Sequence, residues 1–476
     1  MSDGQRLSTA DVGAALRGFL EQVVTQAPVQ EPVFLSRLRT HFAAEPATLP
    51  VVAEDFEPAE HPNLQVALEA YLRASGRTAD LVGVTAAQKR LAGFGLSDLL
   101  VPARPGLMAG AAPVPGPVEY ANVRLDDDRV LTCVRFGLFL IRDGAQRLAV
   151  LVRGPLEHRY PRNLHVEVMA LDRSGTERFL GELRTSMRKR NVYRGHVLSL
   201  SVDRATGVQE VAFHTLPKIE REQIVLPVGV LERVERQTLG LARHSEGLLA
   251  AGRHLKRGLL LHGPPGTGKT LTAMYLAGQM RDRTVVLLTG RGLGPIERSC
   301  AMARQLQPAI VILEDVDLVA QERTRLGAGR TPLLFELLDE MDGLAEDADV
   351  IFLLTTNRPE LLEPALAARP GRVDQAVELP LPDAVSRLRL LDLYSRGLTL
   401  RIGDLERLVE RTEGASPAFI RELLRKAALL SMDERDQGTE VVVEDRHLAA
   451  ALYELVVEGG ELTKRLLGAR PAAAAQ

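Results

Sequence analysis

At 476 residues the chain exceeds what one ordinary hydrophobic core organises, so two or three domains are expected. Hydrophobic residues at 45% and charged residues at 25% exclude disorder over the whole chain, and a formal net charge of -3 gives no global attraction to nucleic acid or anionic membrane. Two cysteines, Cys133 and Cys300, exclude a disulfide scaffold; with no apolar run near the roughly 18 residues of a membrane span and a polar start at Ser2, Asp3 and Gln5, a cytoplasmic protein without a transmembrane segment is expected.

In chain order, residues 1–100 read as mostly helical. Val12, Leu16, Leu20 and Val23 share a helix face, and a second helix is predicted over 63–72. Residues 101–118, with Pro105-Gly106 and Pro115-Gly116-Pro117, read as a connector. Over 119–222 the pattern turns to strands at 134–141, 148–152, 164–169 and 197–202, as in a mixed accessory domain. Arg184, Arg188, Lys189, Arg190 and Arg194 form its basic run; a solvated or intersubunit face is the plain reading, and nucleic-acid contact is the weakly supported alternative. His158, His165, His196 and His214 are scattered among these strands, as packing or surface residues are, rather than gathered as metal ligands.

Residues 223–385 read as an α/β unit. The apolar run Leu259-Leu260-Leu261 leads into Gly263-Pro264-Pro265-Gly266-Thr267-Gly268-Lys269-Thr270, and a helical pattern follows. That strand–loop–helix context is what a phosphate loop requires: glycines let successive amides turn toward anionic oxygens, and the helix start adds its dipole. Lys269 is placed to reach the β and γ phosphates of ATP, and the Thr270 hydroxyl to ligate Mg2+. A second apolar run, Ile310-Val311-Ile312-Leu313, ends at Glu314-Asp315-Val316-Asp317, where one carboxylate can serve the magnesium and the next can orient or deprotonate water. A third, at 350–354, ends near Asn357, whose amide suits orientation of a water beside a γ phosphate. Arg369-Pro370-Gly371-Arg372 presents two guanidinium groups beside a rigid turn. A helical unit follows over 386–458, and residues 459–476 read as a frayed tail.

These motifs, in this order and with the Leu337-Leu338-Asp339-Glu340-Met341-Asp342-Gly343-Leu344 segment between them, resemble the AAA family of ring-forming P-loop ATPases from about 226 to 456. The fold class implied is α/β: a P-loop AAA ATPase core with a small helical lid, preceded by helical and mixed α/β accessory regions. The resemblance implies ATP and Mg2+ as cofactors, Lys269 as phosphate clamp, Asn357 as first sensor, and Arg369 and Arg372 as fingers presented to a neighbouring subunit's ATP. It also implies a homo-oligomeric ring, a hexamer, and makes Gly414-Ala415-Ser416-Pro417 the start of a lid helix.

Two departures shape the functional expectation. The family's usual Asp-Glu order is reversed in Glu314-Asp315, as in its mitochondrial respiratory-complex assembly branch, although the membrane segment of that branch has no counterpart here. The exchange shifts each carboxylate by about one methylene, roughly 1.5 Å, and a misplacement on that scale costs around a hundredfold in rate. Turnover is therefore expected to be slow, with Asp315 activating water, Glu314 serving the magnesium side and Asp317 a bystander. The segment Leu288-Thr289-Gly290-Arg291-Gly292-Leu293-Gly294 stands where threading relatives carry an aromatic pore residue, and no aromatic occurs between Tyr275 and Phe335. No His-Glu-x-x-His motif follows the core, so a built-in zinc protease is unsupported. An ATP-driven remodeller or chaperone of protein clients is the leading expectation, ahead of a nucleic-acid-associated ATPase or an ATP-gated scaffold with very slow turnover.

Overall fold

The computed structural model describes residues 13–15, 18–19, 31–86, 93–101, 112–125, 129–155, 163–202, 209–255, 257–288, 296–317, 337, 339–341, 343, 345, 347–362, 373–434 and 441–458. The chain forms two compact units, one holding residues up to Val192 together with 203–209, the other holding 193–202 and everything from Glu210 onward.

In the first unit a sheet runs in the order β1 (Val51–Phe56), β7 (Leu164–Ala170), β6 (Gln146–Arg153), β5 (Val130–Asp143), β2 (Arg77–Thr85) and β3 (Val114–Gly116), with β4 (Glu119–Arg124) also on β5. Its pairings are antiparallel. β5 and β6 are apolar on both faces because both faces are covered. Phe139 and Ile141 point into a layer with α2 (His61–Leu72) and α3 (Arg173–Lys189); Leu138 and Leu140 point the other way, against α1 (Val33–Phe42) and the turn at 96–99. Asp172 caps α3 by accepting the Gly175 amide at 2.7 Å, and Phe179, Leu180, Leu183 and Met187 form its buried stripe. The mostly helical reading of residues 1–100 is corrected here: β1 and β2 lie within it and share one sheet with β5–β7. The first predicted helix face lies largely outside the described residues.

The second unit is built on a sheet ordered β14 (Gln375–Glu378), β10 (Arg257–His262), β13 (Val350–Thr356), β12 (Ala309–Leu313), β11 (Thr284–Leu288), β8 (Val197–Val202) and β9 (Gln209–His214). β8 to β14 pair in parallel wherever the ladder runs through β10–β13. The boundary drawn at residue 222 is thus displaced, because β8 hydrogen-bonds along β11 and extends the ATPase-like sheet rather than the accessory one. Alternation again sorts the core: Ile310 and Ile312 pack with Leu276 of α5 (Lys269–Gln279), while Val311 and Leu313 pack with Ile296 and Cys300 of α6 (Ile296–Gln305). α4 (Val230–Glu235) precedes both helices in sequence, between β9 and β10.

After β14 come α7 (Ala384–Tyr394), α8 (Leu405–Arg411), α9 (Pro417–Asp433) and α10 (Asp445–Tyr453), sharing an apolar core that includes Leu390, Ile420, Leu423 and Leu448. A short parallel pair, β15 (Thr399–Arg401) with β16 (Val442–Glu444), joins them and was not legible in the helical pattern.

At the amino ends of the parallel strands, far along the sheet from the strand ends that carry the phosphate motifs, Arg283 makes a bidentate pair with Asp349 at 2.6 and 2.9 Å, its side chain 2% exposed. Removing one partner of such a pair leaves a buried charge uncompensated. Arg283→Ala is expected to destabilise the second unit by about 3 kcal/mol. Chemical denaturation of the two proteins checks this, and a midpoint unchanged by the substitution refutes it.

Candidate functional site

The site grows from the carboxyl ends of three adjacent parallel strands, the place where open α/β sheets bind ligands. The loop after β10 turns sharply: Gly263, Gly266 and Gly268 have φ of 144°, 75° and 92°, values that side chains other than hydrogen disfavour. At Gly266 the approach is also close. A Cβ there would lie 2.8 Å from both Ala418 Cβ and Ser416 Oγ, and its carbonyl accepts the Ala418 amide at 3.2 Å. The lid therefore sits directly on the loop. Ser416 is the N-cap of α9, accepting the Phe419 amide at 3.1 Å, and Gly414 takes a φ of 73° just before it.

Lys269 opens α5 and is buried. Its Nζ donates to the carbonyls of Gly263 at 3.0 Å and Pro264 at 2.8 Å, so the ammonium lies over the loop it serves. Burial pulls its pKa down to about 8, against the opposing attraction of Asp315 and Asp317. Thr267 ties the same turn together by donating to the Pro264 carbonyl at 2.9 Å.

β12 and β13 pair with Leu313 opposite Leu354, which carries the acids after β12 alongside Thr355, Thr356 and Asn357. Glu314 is half-buried, and burial raises its pKa although the Thr270 hydroxyl hydrogen-bonds it. Its Oε1 is buried with no hydrogen-bond partner among the described residues. An orphaned carboxylate oxygen beside a threonine hydroxyl is a hard-oxygen donor pair that fits Mg2+. Asp315 takes a φ of 49°, rare for a residue with a side chain, and donates its amide to Thr355 Oγ1 at 3.1 Å. That turn brings Asp315 Oδ1 to 3.1 Å from Asn357 Nδ2, which donates to it. Burial, then the neighbouring Asp317 charge, raise the Asp315 pKa.

The bystander reading of Asp317 does not survive this geometry. It is 5% exposed, and its Oδ1 accepts from Thr356 Oγ1 at 2.9 Å and from the Asn357 amide at 3.3 Å. Asp317 thus anchors the turn that aims Asn357. The one available signal was the presence of a second acid two residues after Asp315; the left-handed turn at Asp315 and the helical backbone that begins at Val316 are what seat it.

Loop, Asp315 and Asn357 share a cavity of about 790 Å³, roofed by Tyr394 and Ala418 of the lid. Pro217, Ile219 and Ile224–Leu226 form a further wall that sequence reasoning missed, because an apolar strip ahead of a core reads as packing. Arg369 and Arg372 lie outside the described residues, as do 289–294 of the expected pore segment.

Two of the five residues of the basic run are paired, while Arg188, Lys189 and Arg190 are exposed. Arg184 grips Glu54 through two nitrogens at 2.7 and 2.8 Å, and Arg194 donates to the Gln305 and Gln307 carbonyls. Of the histidines, His165 lies between Asp55 at 2.7 Å and Glu167 at 3.0 Å, His214 meets Ser199 at 2.7 Å, and His196 packs edge-on to Phe213. His158 lies outside the described residues. Among the described residues, no helix is long and apolar enough to cross a membrane.

The family described as "ATPase family associated with various cellular activities (AAA)" matches residues 259–381. An ATP-dependent zinc metalloprotease FtsH of Synechococcus sp. is 36% identical over 247 residues, 49% of this chain and 38% of that protein. A proteasome-activating nucleotidase of Thermococcus gammatolerans is 35% identical over 217 residues, 43% of this chain and 53% of that protein. The chain thus spans about half, or less, of the length of the curated relatives it matches. Phosphate loop, paired acids and Asn357 on adjacent strand ends, under a lid seated on Gly266, agree with those matches: the chain carries a AAA-family P-loop ATPase domain.

Proposed function

We propose that this chain hydrolyses ATP and couples the cycle to remodelling of protein substrates. The observation that carries the reading is the meeting of Lys269, Thr270, Asp315 and Asn357 at one cavity, with Glu314 hydrogen-bonded to Thr270 behind its wall, while the cavity's roof, α9, rests on the phosphate loop at Gly266. Phosphates entering the loop draw Lys269 away from the Gly263 and Pro264 carbonyls and meet the amino end of α5. Thr270 and Glu314 would hold Mg2+, which would neutralise developing phosphate charge. Asp315, its carboxylate raised in pKa and its position shared with Asn357, accepts the proton of the attacking water. Because the lid touches the loop through Ala418 and Ser416, a filled loop changes the seat of the lid, which is how hydrolysis becomes motion.

The protein-substrate half of the proposal draws on the two relatives, whose names join ATP dependence to a protease and a nucleotidase to proteasome activation. A homo-oligomeric ring, a hexamer completed by Arg369 and Arg372 of each neighbour, belongs to the same proposal. Mg2+-dependent phosphate release, measured with and without unfolded protein substrates, tests it. Stimulated turnover, or a changed folded state of the substrate, is expected; turnover and substrates that never affect each other end the remodelling reading.

Lys269 supplies a pH test. Its ammonium titrates near 8 in the nucleotide-free site, and phosphate beside Nζ raises that value again. Between about pH 8 and the usual lysine range near 10.4, binding must therefore take up a proton, and affinity weakens as pH rises. The Kd for ATP should rise by up to about tenfold per pH unit through that window and stay flat below it. Calorimetry in buffers of different ionisation enthalpy reads both affinity and proton uptake; a flat Kd from pH 7 to about 9.5 contradicts the prediction.

A further inference from the structure

The strip ahead of the core does more than close a wall. Ile219, Ile224 and Leu226 pack with Tyr275 and Leu276 beneath α5, whereas Val225 packs with Leu390, Phe419 and Ile420 of the lid. Alternating side chains thus wedge one extended strip between core and lid. Its fastening is polar. Arg221, just before the strip reaches the cavity, donates through Nε and Nη2 to the two oxygens of Glu235 at 2.9 and 3.0 Å, and through Nη2 to Glu232 at 3.1 Å. From the other side the Tyr275 hydroxyl donates to Glu235 at 2.7 Å. Tyr275 is 4% exposed and stands on α5, the helix that begins at Lys269.

A guanidinium fork, a carboxylate and a phenol therefore join the strip to the helix that carries the phosphate loop. Phosphates occupy the loop end of the cavity, so the nucleoside must lie along the remaining apolar wall, which this strip forms together with Met274 of α5 and Leu390 and Tyr394 of the lid. We propose that Arg221, Glu235 and Tyr275 are a positioning clamp that sets the nucleoside end of the ATP cavity. The inference rests on the ATP-hydrolysis reading above. None of the three residues lines the phosphate end, and the clamp acts by holding Ile224–Leu226 in place.

The full chain is tested as wild type, Tyr275→Phe, Arg221→Gln and Arg221→Lys, with ATP and inorganic tripolyphosphate as ligands. Tyr275→Phe and Arg221→Gln are expected to raise the Kd and KM for ATP by roughly three- to tenfold, with kcat within about twofold of wild type. The Kd for tripolyphosphate should not move, since that ligand has no nucleoside. Arg221→Lys keeps the charge without the fork and should fall between. An ATP affinity in Tyr275→Phe equal to wild type overturns the clamp, as does an equal loss for ATP and tripolyphosphate, which marks general loosening. If Arg221→Gln fails to fold, Tyr275→Phe decides alone, because it removes one hydroxyl. A wild-type chain that binds ATP while the variants match it sinks only the clamp; a wild-type chain that binds neither ligand sinks the ATPase reading and the clamp with it.

Discussion

Lys269→Ala should lower ATP affinity by about a hundredfold or more and remove Mg2+-dependent phosphate release. The reason is that Lys269 is the buried cation of the loop, already desolvated before any ligand arrives. Truncating one member of a buried, hydrogen-bonded charge pair costs about 2–5 kcal/mol, and the lower end of that range is already some thirtyfold in affinity. The folded chain should tolerate the change. Burial disfavours the charged form of this ammonium, so its removal relieves a desolvation cost even as two hydrogen bonds to loop carbonyls are lost. Titration calorimetry with ATP, alongside thermal melts without nucleotide, separates the two effects. Retained affinity in a folded variant would take Lys269 out of the phosphate site.

Asp315→Asn should leave ATP binding near wild type while lowering kcat by roughly a hundredfold or more. Asparagine keeps the size of the side chain, and its amide oxygen can still accept from Asn357 Nδ2, but it cannot take a proton from water. The left-handed backbone at Asp315 favours this comparison, because asparagine tolerates that region better than most residues. Glu314→Gln tells the two acids apart. A change there should act through the Mg2+ requirement, since Glu314 pairs with Thr270, whereas Asp315 pairs with Asn357. Single-turnover phosphate release across Mg2+ concentrations is the measurement. If Asp315→Asn turns over at the wild-type rate, the proton-accepting role assigned to Asp315 falls.

The same pair shows how tertiary structure bears on the reversed acid order. A shift of one methylene matters only where the backbone does not adjust. In the folded chain the φ of 49° at Asp315 redirects the backbone at that residue, and the Thr355 hydroxyl holds its amide there. The turn aims Asp315 at Asn357 and leaves Glu314 beside Thr270.

Much of the fold was readable because its elements declare themselves locally. The strands over 134–141, 148–152, 164–169 and 197–202 all occur, slightly longer in most cases, since apolar runs bounded by turns need no distant information. The helical pattern after residue 386 was readable for the same reason, whereas the start of the lid helix at 414–417 rested on the family resemblance and the structure makes Ser416 its N-cap. β1 and β2 were missed because six to nine residues of mixed polarity among helical neighbours carry little periodic signal, and only pairing with β7 and β5 makes them strands.

By itself the sequence determined the phosphate loop, the acids after β12 and Asn357 after β13, because each is a contiguous motif whose chemistry depends on residue type and near neighbours. Tertiary structure alone decided which sheet owns β8 and β9, why Asp317 holds Asn357, and how Arg221 and Tyr275 come to share Glu235. The physical reason is common to all three. Side-chain periodicity tells which face of an element is buried, but a hydrogen-bond partner 40 residues away, as with Asp317 and Asn357, is chosen by strand order and register, which no local pattern encodes.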